Sequence, residues 1–453
     1  MQAPTTLSAL AAAVLAASIA TAYPAVAAPP ECFGKEATLI GTGGPDRLAG
    51  TAGPDVIVGL GGNDRISGRG GDDLLCGGAG QDVVAGDAGS DKIALGSNPK
   101  IYYDDEDGRH ERAELGVGGD GDDLLTGGPG FDRLTGDAGN DVLRTGTGDD
   151  ETLTTPDVNG GEGDDRIYGG PGNDFMSGGP GDDLVLGGDG DDVMTEDAGP
   201  LVGGYGTDTM GGQGGNDRLT TTGGLDRLVG DDGDDHLTGS PEADYLAGGG
   251  GADWVSAGDG DDIVFGGAGP DTFSAGTSLD PRDTVVDLAA ETAVGYGTDV
   301  VESFENAMAQ SNGGTDVLRG TLRDNVFSGL GAGDSVDGLL GTDTLDLTES
   351  IDSPTQRTGW QVDLGTGTAW LGTTRVGLVS IENVNGSSGA DVLLGSDGPN
   401  VLQGLDRADV LRGRGGDDVP VGGKGDDTVA GGAGRDRCTS PTRRQGATGC
   451  ELP

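Results

Sequence analysis

Residues 41–94 read GTGGPDRLA, GTAGPDVIV, GLGGNDRIS, GRGGDDLLC, GGAGQDVVA and GDAGSDKIA when cut every nine residues. Positions one and four are glycine in each piece. Position six is aspartate (Asp46, Asp55, Asp64, Asp73, Asp82, Asp91) and position eight is aliphatic (Leu48, Ile57, Ile66, Leu75, Val84, Ile93). The frame restarts at Gly118 with Asp123, Asp132, Asp141 and Asp150, and at Gly160 with Asp165, Asp174, Asp183 and Asp192. From Gly203 to Ser274 it carries Asp208, Asp217, Asp226, Asp235, Asp244, Asp253, Asp262 and Asp271. From Gly386 it carries Asp391, Asp409, Asp418, Asp427 and Asp436.

Each constant position has a physical reason. Glycine permits a tight turn and close approach of neighbouring backbones. Aspartate supplies a short, hard oxygen donor suited to calcium. The last three residues of each unit alternate outward, inward, outward, as a short strand does. One inward aliphatic cannot be hidden by a single strand, but stacked copies hide one another's.

The whole composition follows from this unit. The chain has 453 residues with 96 glycines, 4% aromatics and 78 acidic against 26 basic residues, a formal charge of −52. Without a period such a composition predicts disorder. The nine-residue phase predicts a solenoid instead. The charge argues against nucleic acid and anionic membranes as partners and for cations.

The pattern GGxGxDxUx, with U a large apolar residue, resembles the RTX, or haemolysin-type, calcium-binding repeat. Residues 77–85 (GGAGQDVVA) and 178–186 (GGPGDDLVL) match it throughout. The resemblance implies an all-β parallel β-roll with two nonapeptides per turn. It places calcium between the loops of repeats n and n+2, held by position-six aspartates and backbone carbonyls. Asp46 and Asp64 would then share one edge, and Asp55 and Asp73 the other. All the position-six aspartates named above are expected calcium ligands on this reading.

The phase breaks at residues 96–117, a polar acidic stretch. There Asp105, Asp107, Gly108 and Glu114 fall at EF-hand-like spacings, but Tyr103 stands in the first ligand position and helical flanks are missing. Residues 284–309 and 360–387 resemble each other, each with a VDL run, a Thr-Ala step and Ser-Phe/Ile-Glu-Asn. They read as longer strands that extend the solenoid. Between them lies a degenerate block with Asp316, Asp334 and Asp343 but Asn325. Asn400 and Pro420 look like similar faults, and Pro420 should weaken strand pairing because it lacks a donor.

The expected order is a signal peptide (1–27), an N-terminal cap (28–40), a repeat block (41–95) and the polar loop (96–117). Repeat blocks at 118–195 and 196–274 follow, then a strand insertion (275–310), a degenerate block (311–346) and a second insertion (347–385). A repeat block (386–437) and a C-terminal cap (438–453) end the chain. The Ala/Leu-rich run Leu7–Ala22 followed by Ala25-Val26-Ala27 predicts cleavage after Ala27 and export. In an exported chain Cys32, Cys76, Cys438 and Cys450 favour disulfides. Four cysteines allow three pairings, and proximity favours Cys32–Cys76 and Cys438–Cys450.

Catalytic patterns are missing. Only His110 and His236 are histidine, and neither HExxH nor GxSxG occurs. The sequence therefore predicts a secreted, non-enzymatic calcium-binding protein. The alternatives are a calcium-dependent adhesin for a cell-surface or extracellular polymer and, further off, a polysaccharide-modifying enzyme. Ice binding would want a regular threonine ladder, and Thr220-Thr221-Thr222 is isolated.

Overall fold

A computed structural model describes residues 28–97, 102–105, 108–111, 114–150, 156–196, 206–274, 282–295, 297–309, 314–348, 358–439 and 448–451. The expected signal peptide lies outside them. The described residues are all-β, and no helix among them is long and apolar enough to cross a membrane.

Strands of consecutive nonapeptides alternate between two parallel ladders. In one, Leu219, Leu237, Val255 and Phe273 pair in register, each eighteen residues from the next. In the other, Met210, Leu228, Leu246 and Val264 do the same. Two nonapeptides therefore make one turn. The inward position-eight side chains of the two ladders face each other in a continuous core, and Leu75, Leu143, Ile167 and Leu237 are all fully buried. Positions seven and nine point outward. Glycine at position one is a packing requirement: a methyl group on Gly59 or Gly212 would collide with the carboxylate of its own repeat and with a glycine carbonyl one turn on.

The breaks in phase preserve the register of the solenoid. Residues 102–105 and 108–111 pair as an antiparallel hairpin, and strand Glu114–Asp120 already belongs to the roll. There Gly116 takes the inward position between Val84 and Leu134. Leu134, Leu125 and the fully buried Leu95, which replaces a position-one glycine, close over the space it leaves. The EF-hand spacing is not realised: Asp105 and Gly108 lie in the hairpin, Glu114 lies in the roll, and Asp107 falls outside the described residues.

The two long insertions differ from the expected long strands. Each is a three-stranded antiparallel meander: Val285–Asp287, Thr292–Val294 and Thr298–Glu302 in the first, and Thr358–Asp363, Thr368–Leu371 and Thr374–Val379 in the second. The outer strands of each pair in parallel with neighbouring turns. Where one ladder gains three strands, the other gains only Asn306–Met308 or Asn383–Asn385. Two extra strands at about 4.8 Å each require the ladders to diverge there. Large apolar residues fill that space, including the edge-to-face pair Phe273–Phe304 and the buried Trp360.

Pairing also continues through Pro420, which stays opposite Leu402 and accepts a hydrogen bond from the Thr439 amide at 2.9 Å. Beyond it the ladder shrinks to the single bridge Val421–Thr439. Disulfides Cys32–Cys76 and Cys438–Cys450 tie down the ends, with Cα separations of 5.8 and 5.7 Å. The first anchors the hairpin Glu31–Cys32/Lys35–Glu36 to the strand Leu74–Ala79.

Because each core residue touches only adjacent turns, Leu237→Ala should open a local cavity costing about 2–5 kcal/mol. Urea denaturation of the calcium-loaded chain should show a lower midpoint, with hydrogen exchange accelerated first around residues 219–255. A loss of protection spread evenly over the chain would contradict the turn-by-turn core.

Candidate metal centres along the two loop edges

The loops put the position-six aspartates in two files. On one edge the backbone N–H of Asp46 donates to Asp64 Oδ1, and that of Asp64 to Asp82 Oδ1, each at 2.8 Å. The file resumes from Asp132 through Asp150, Asp174, Asp192, Asp217, Asp235 and Asp253 to Asp271. On the other edge it runs from Asp55 through Asp73, Asp91, Asp123, Asp141, Asp165, Asp183, Asp208, Asp226 and Asp244 to Asp262. Shorter files link Asp316 with Asp334, Asp391 with Asp409 and Asp427, and Asn400 with Asp418 and Asp436.

The link uses one oxygen of each carboxylate. The second oxygen is buried without a hydrogen-bond partner at Asp64, Asp73, Asp82, Asp91, Asp123, Asp141, Asp165, Asp183, Asp192, Asp208, Asp217, Asp226, Asp235, Asp253, Asp262 and Asp271. The same holds at Asp150, Asp343, Asp409, Asp418, Asp427 and Asp436, and both oxygens of Asp132 are in this condition. Buried polar groups are normally paired, so a repeated orphan of one kind points to a missing partner of one kind. At Asp46, Asp55, Asp244 and Asp391 the second oxygen is instead hydrogen-bonded within its own loop.

Burial raises the pKa of these groups. Asp82, Asp217 and Asp235 are pushed up to about 6, Asp165 and Asp226 to about 7, and Asp183, Asp192 and Asp262 to about 8. Desolvation is the largest cause, the backbone N–H of the preceding turn opposes it, and neighbouring carboxylates add to it. The most strongly shifted members of the files, such as Asp183, therefore favour a proton at neutral pH unless a counter-charge is present.

Four further acids stand in the same files: Glu114 and Glu382 fall nine residues before Asp123 and Asp391, and Asp299 and Glu305 lie outside the nine-residue count. Glu114 sits between Asp82 and Asp132. It is fully buried, neither of its carboxylate oxygens has a partner, and burial pushes it up to about 9. Glu305 accepts the Asp271 N–H and Glu382 accepts the Asp343 N–H, at 3.2 and 2.9 Å. Both come from the shared Ser-Phe/Ile-Glu-Asn motif, which was their visible signal. Asp299 likewise accepts the Asp262 N–H. Outside the buried files, position-five residues form an exposed ladder of their own, with the Asp182 N–H donating to Asp164 Oδ1 and the Asp234 N–H to Asn216 Oδ1.

The donor set fits a hard cation. The oxygens are carboxylate and amide carbonyl, there is no thiolate or imidazole, and the unpaired atoms are acceptors only. Among the described residues no three metal-ligating side chains converge. A cation held here would take one or two carboxylates and draw its remaining ligands from the backbone of the glycine loops.

Comparison with known proteins agrees with this chemistry. The RTX calcium-binding nonapeptide repeat matches residues 40–75, 77–97, 117–151, 159–194, 202–237, 238–273, 310–345, 385–420 and 403–438, which is more than half of the chain. No curated protein matches. Among solved structures, a hyperactive, Ca2+-dependent, β-helical antifreeze protein from an Antarctic bacterium matches at 16% identity and a TM-score of 0.20. That match covers 67% of this chain and 84% of the other. With its repeats, its parallel roll and its files of half-satisfied carboxylates, the chain belongs to the RTX calcium-binding nonapeptide-repeat family.

Proposed function

We propose that this is a secreted, non-enzymatic scaffold in which calcium binding and folding are one event. The observation that carries the proposal is the row of buried carboxylate oxygens without partners. The ligands are the position-six aspartates whose second oxygen is free, joined by Glu114 and by loop carbonyls. Where calcium is scarce, repulsion among these carboxylates opposes stacking and keeps the chain open for export. Outside the cell, neutralisation of facing carboxylates lets Leu219, Leu228, Leu237 and Leu246 stack. Affinity per site is on the order of 10⁻⁴–10⁻³ M, as for extracellular calcium modules, with cooperativity along the array.

One observation favours a second reading, an adhesin for a cell-surface or extracellular polymer. On one outer face His236 stacks on Trp254 with ring centroids 4.0 Å apart, and on the other Arg227 lies over Tyr245 next to Phe265. Flat aromatic faces on a rigid sheet suit sugar rings. Trp254→Ala should then reduce calcium-dependent retention on the polymer without altering the calcium isotherm, and equal retention would discard this reading.

The scaffold proposal is tested by far-UV circular dichroism of residues 28–453 titrated with calcium, with magnesium as control. A cooperative β-signal specific to calcium and reversed by chelator is expected. A chain already folded in chelator at neutral pH would refute coupled folding.

Protons should stand in for calcium. The carboxyls are held above their unfolded values, so the protonated roll is favoured in acid and that stability is lost as pH rises through the folded values. In chelator, β-structure should be present near about pH 5 and disappear between about pH 6 and 8, where Asp217 and Asp183 ionise. In calcium it should persist across that window. A chelated chain that gains structure as pH rises would have the opposite sign and overturn the assignment.

A further inference from the structure

The loops come in two kinds, and the residue at position two divides them. In most, position two has a left-handed backbone: Gly78, Gly188 and Gly249 have φ of 114°, 128° and 123°. Non-glycine residues there are forced into the same region, as with Leu60 at 79°, Gln213 at 80° and Asp231 at 72°. Position four is left-handed too, with Gly62 at 104° and Gly233 at 139°. In such loops the second oxygen of the position-six aspartate is buried without a partner, as at Asp82, Asp192 and Asp253.

Seven described loops carry Ser or Thr at position two, and six of them close on themselves, those with Thr42, Thr51, Ser240, Thr321, Ser387 and Ser396; in the seventh the Thr222 N–H donates to Glu196 Oε2 and the second oxygen of Asp226 stays without a partner. None of the six residues has a positive φ, and neither do the position-four residues Gly44, Gly53, Glu242, Arg323, Gly389 and Gly398. In these six the position-two N–H turns inward onto the position-six side chain. Thr51 donates to Asp55 Oδ2 from its N–H at 2.6 Å and from its hydroxyl at 2.9 Å. Ser240 donates to Asp244 Oδ2 at 2.7 and 3.0 Å in the same way. Ser387 donates to Asp391 from its N–H at 2.8 Å and its hydroxyl at 2.9 Å. The oxygen left free in glycine loops is therefore satisfied here.

The other two members of this group show what the arrangement permits. Asn325 and Asn400 are the position-six residues without a charge, and both lie in Ser/Thr loops. Their Oδ1 atoms accept the N–H of Thr321 and Ser396, each at 2.7 Å. Their side-chain amides donate to the Glu305 and Glu382 carbonyls at 2.5 and 2.6 Å. A neutral side chain thus completes the joint through hydrogen bonds alone, where a carboxylate file would need a cation.

Resting on the calcium reading above, we infer that position two decides whether a loop takes calcium. A left-handed residue leaves the position-six carboxylate open and the loop binds; a Ser or Thr whose N–H turns onto its own position-six side chain closes the loop and excludes the ion, whereas Thr222, whose N–H goes to Glu196, leaves Asp226 open. Asp46, Asp55, Asp244 and Asp391 are then structural rather than ligating. The calcium file on one edge stops before Asp244 and starts again after it. The first two loops, bracketed by the Cys32–Cys76 disulfide, form a cap that holds without calcium.

The test compares Asp244→Asn with Asp262→Asn, neighbours in one file. Calcium bound per full chain is counted by equilibrium dialysis, with circular dichroism in excess calcium confirming the fold. D244N should bind as much calcium as the unaltered chain, and D262N less. Equal losses in the two variants would overturn the division of loops. A D262N chain with undiminished calcium would overturn aspartate ligation itself and the division with it. Should D244N fail to fold, Ser240→Gly reads the same question in reverse: an increase in bound calcium is expected, and no increase would refute the closing role of Ser240.

Discussion

The structure depends on one repeated hydrogen bond: the backbone N–H of most position-six residues donates to the acidic side chain at the matching place one turn later. It sets the register between turns and stacks the carboxylates in file. It also engages only one oxygen of each. The fold therefore creates an electrostatic demand in proportion to its own length. Carboxylates in adjacent turns repel, burial weakens the screening between them, and each added turn adds another such contact. The apolar core has no comparable reserve, since one inward side chain per nonapeptide is a thin return on nine ordered residues. The proposed dependence of folding on calcium would follow from that imbalance.

Breaks in the repeat are tolerated because the solenoid is sensitive to register between turns and indifferent to the number of residues in a turn. The hairpin at 102–111 lies outside the ladder, yet Asp91 still meets Asp123, thirty-two residues away instead of eighteen. The insertions add an inverted strand to one ladder and return the chain to the same edge, where Glu305 and Glu382 extend the aspartate files.

This explains which parts were legible beforehand. Period nine with glycine, aspartate and an aliphatic residue at fixed offsets implies the turn, the two edges and the buried position, and the ladders have that register. Glu114 escaped because its unit, nine residues before that of Asp123, has Arg109 and Arg112 in place of the glycines and Gly116 in place of the inward aliphatic. Leu95 and Gly116 escaped because each breaks the pattern alone, and only the folded chain shows that Leu95 joins Leu125 and Leu134 in closing over the space Gly116 leaves. Pro420 looked more disruptive than it is: the file opposite Leu402 survives, and the lost donor faces a ladder that is already ending.

The Ser and Thr residues at position two are visible in GTGGPD and GTAGPD at the very start, but position two is not one of the constant positions of the repeat. Their significance lies in the backbone. Glycine at positive φ turns its peptide so that the loop stays open. A β-branched Thr strongly disfavours that region, and its hydroxyl offers a local acceptor and donor that stabilise the alternative turn. One side chain thus changes loop conformation and satisfies the carboxylate together. A chain whose folding waits for an ion benefits from places that need none, because the first turn of a solenoid has no neighbour to stack on. A cap tied by a disulfide and closed by Thr42 and Thr51 meets that need, and every later turn can add its ions to a surface already in register.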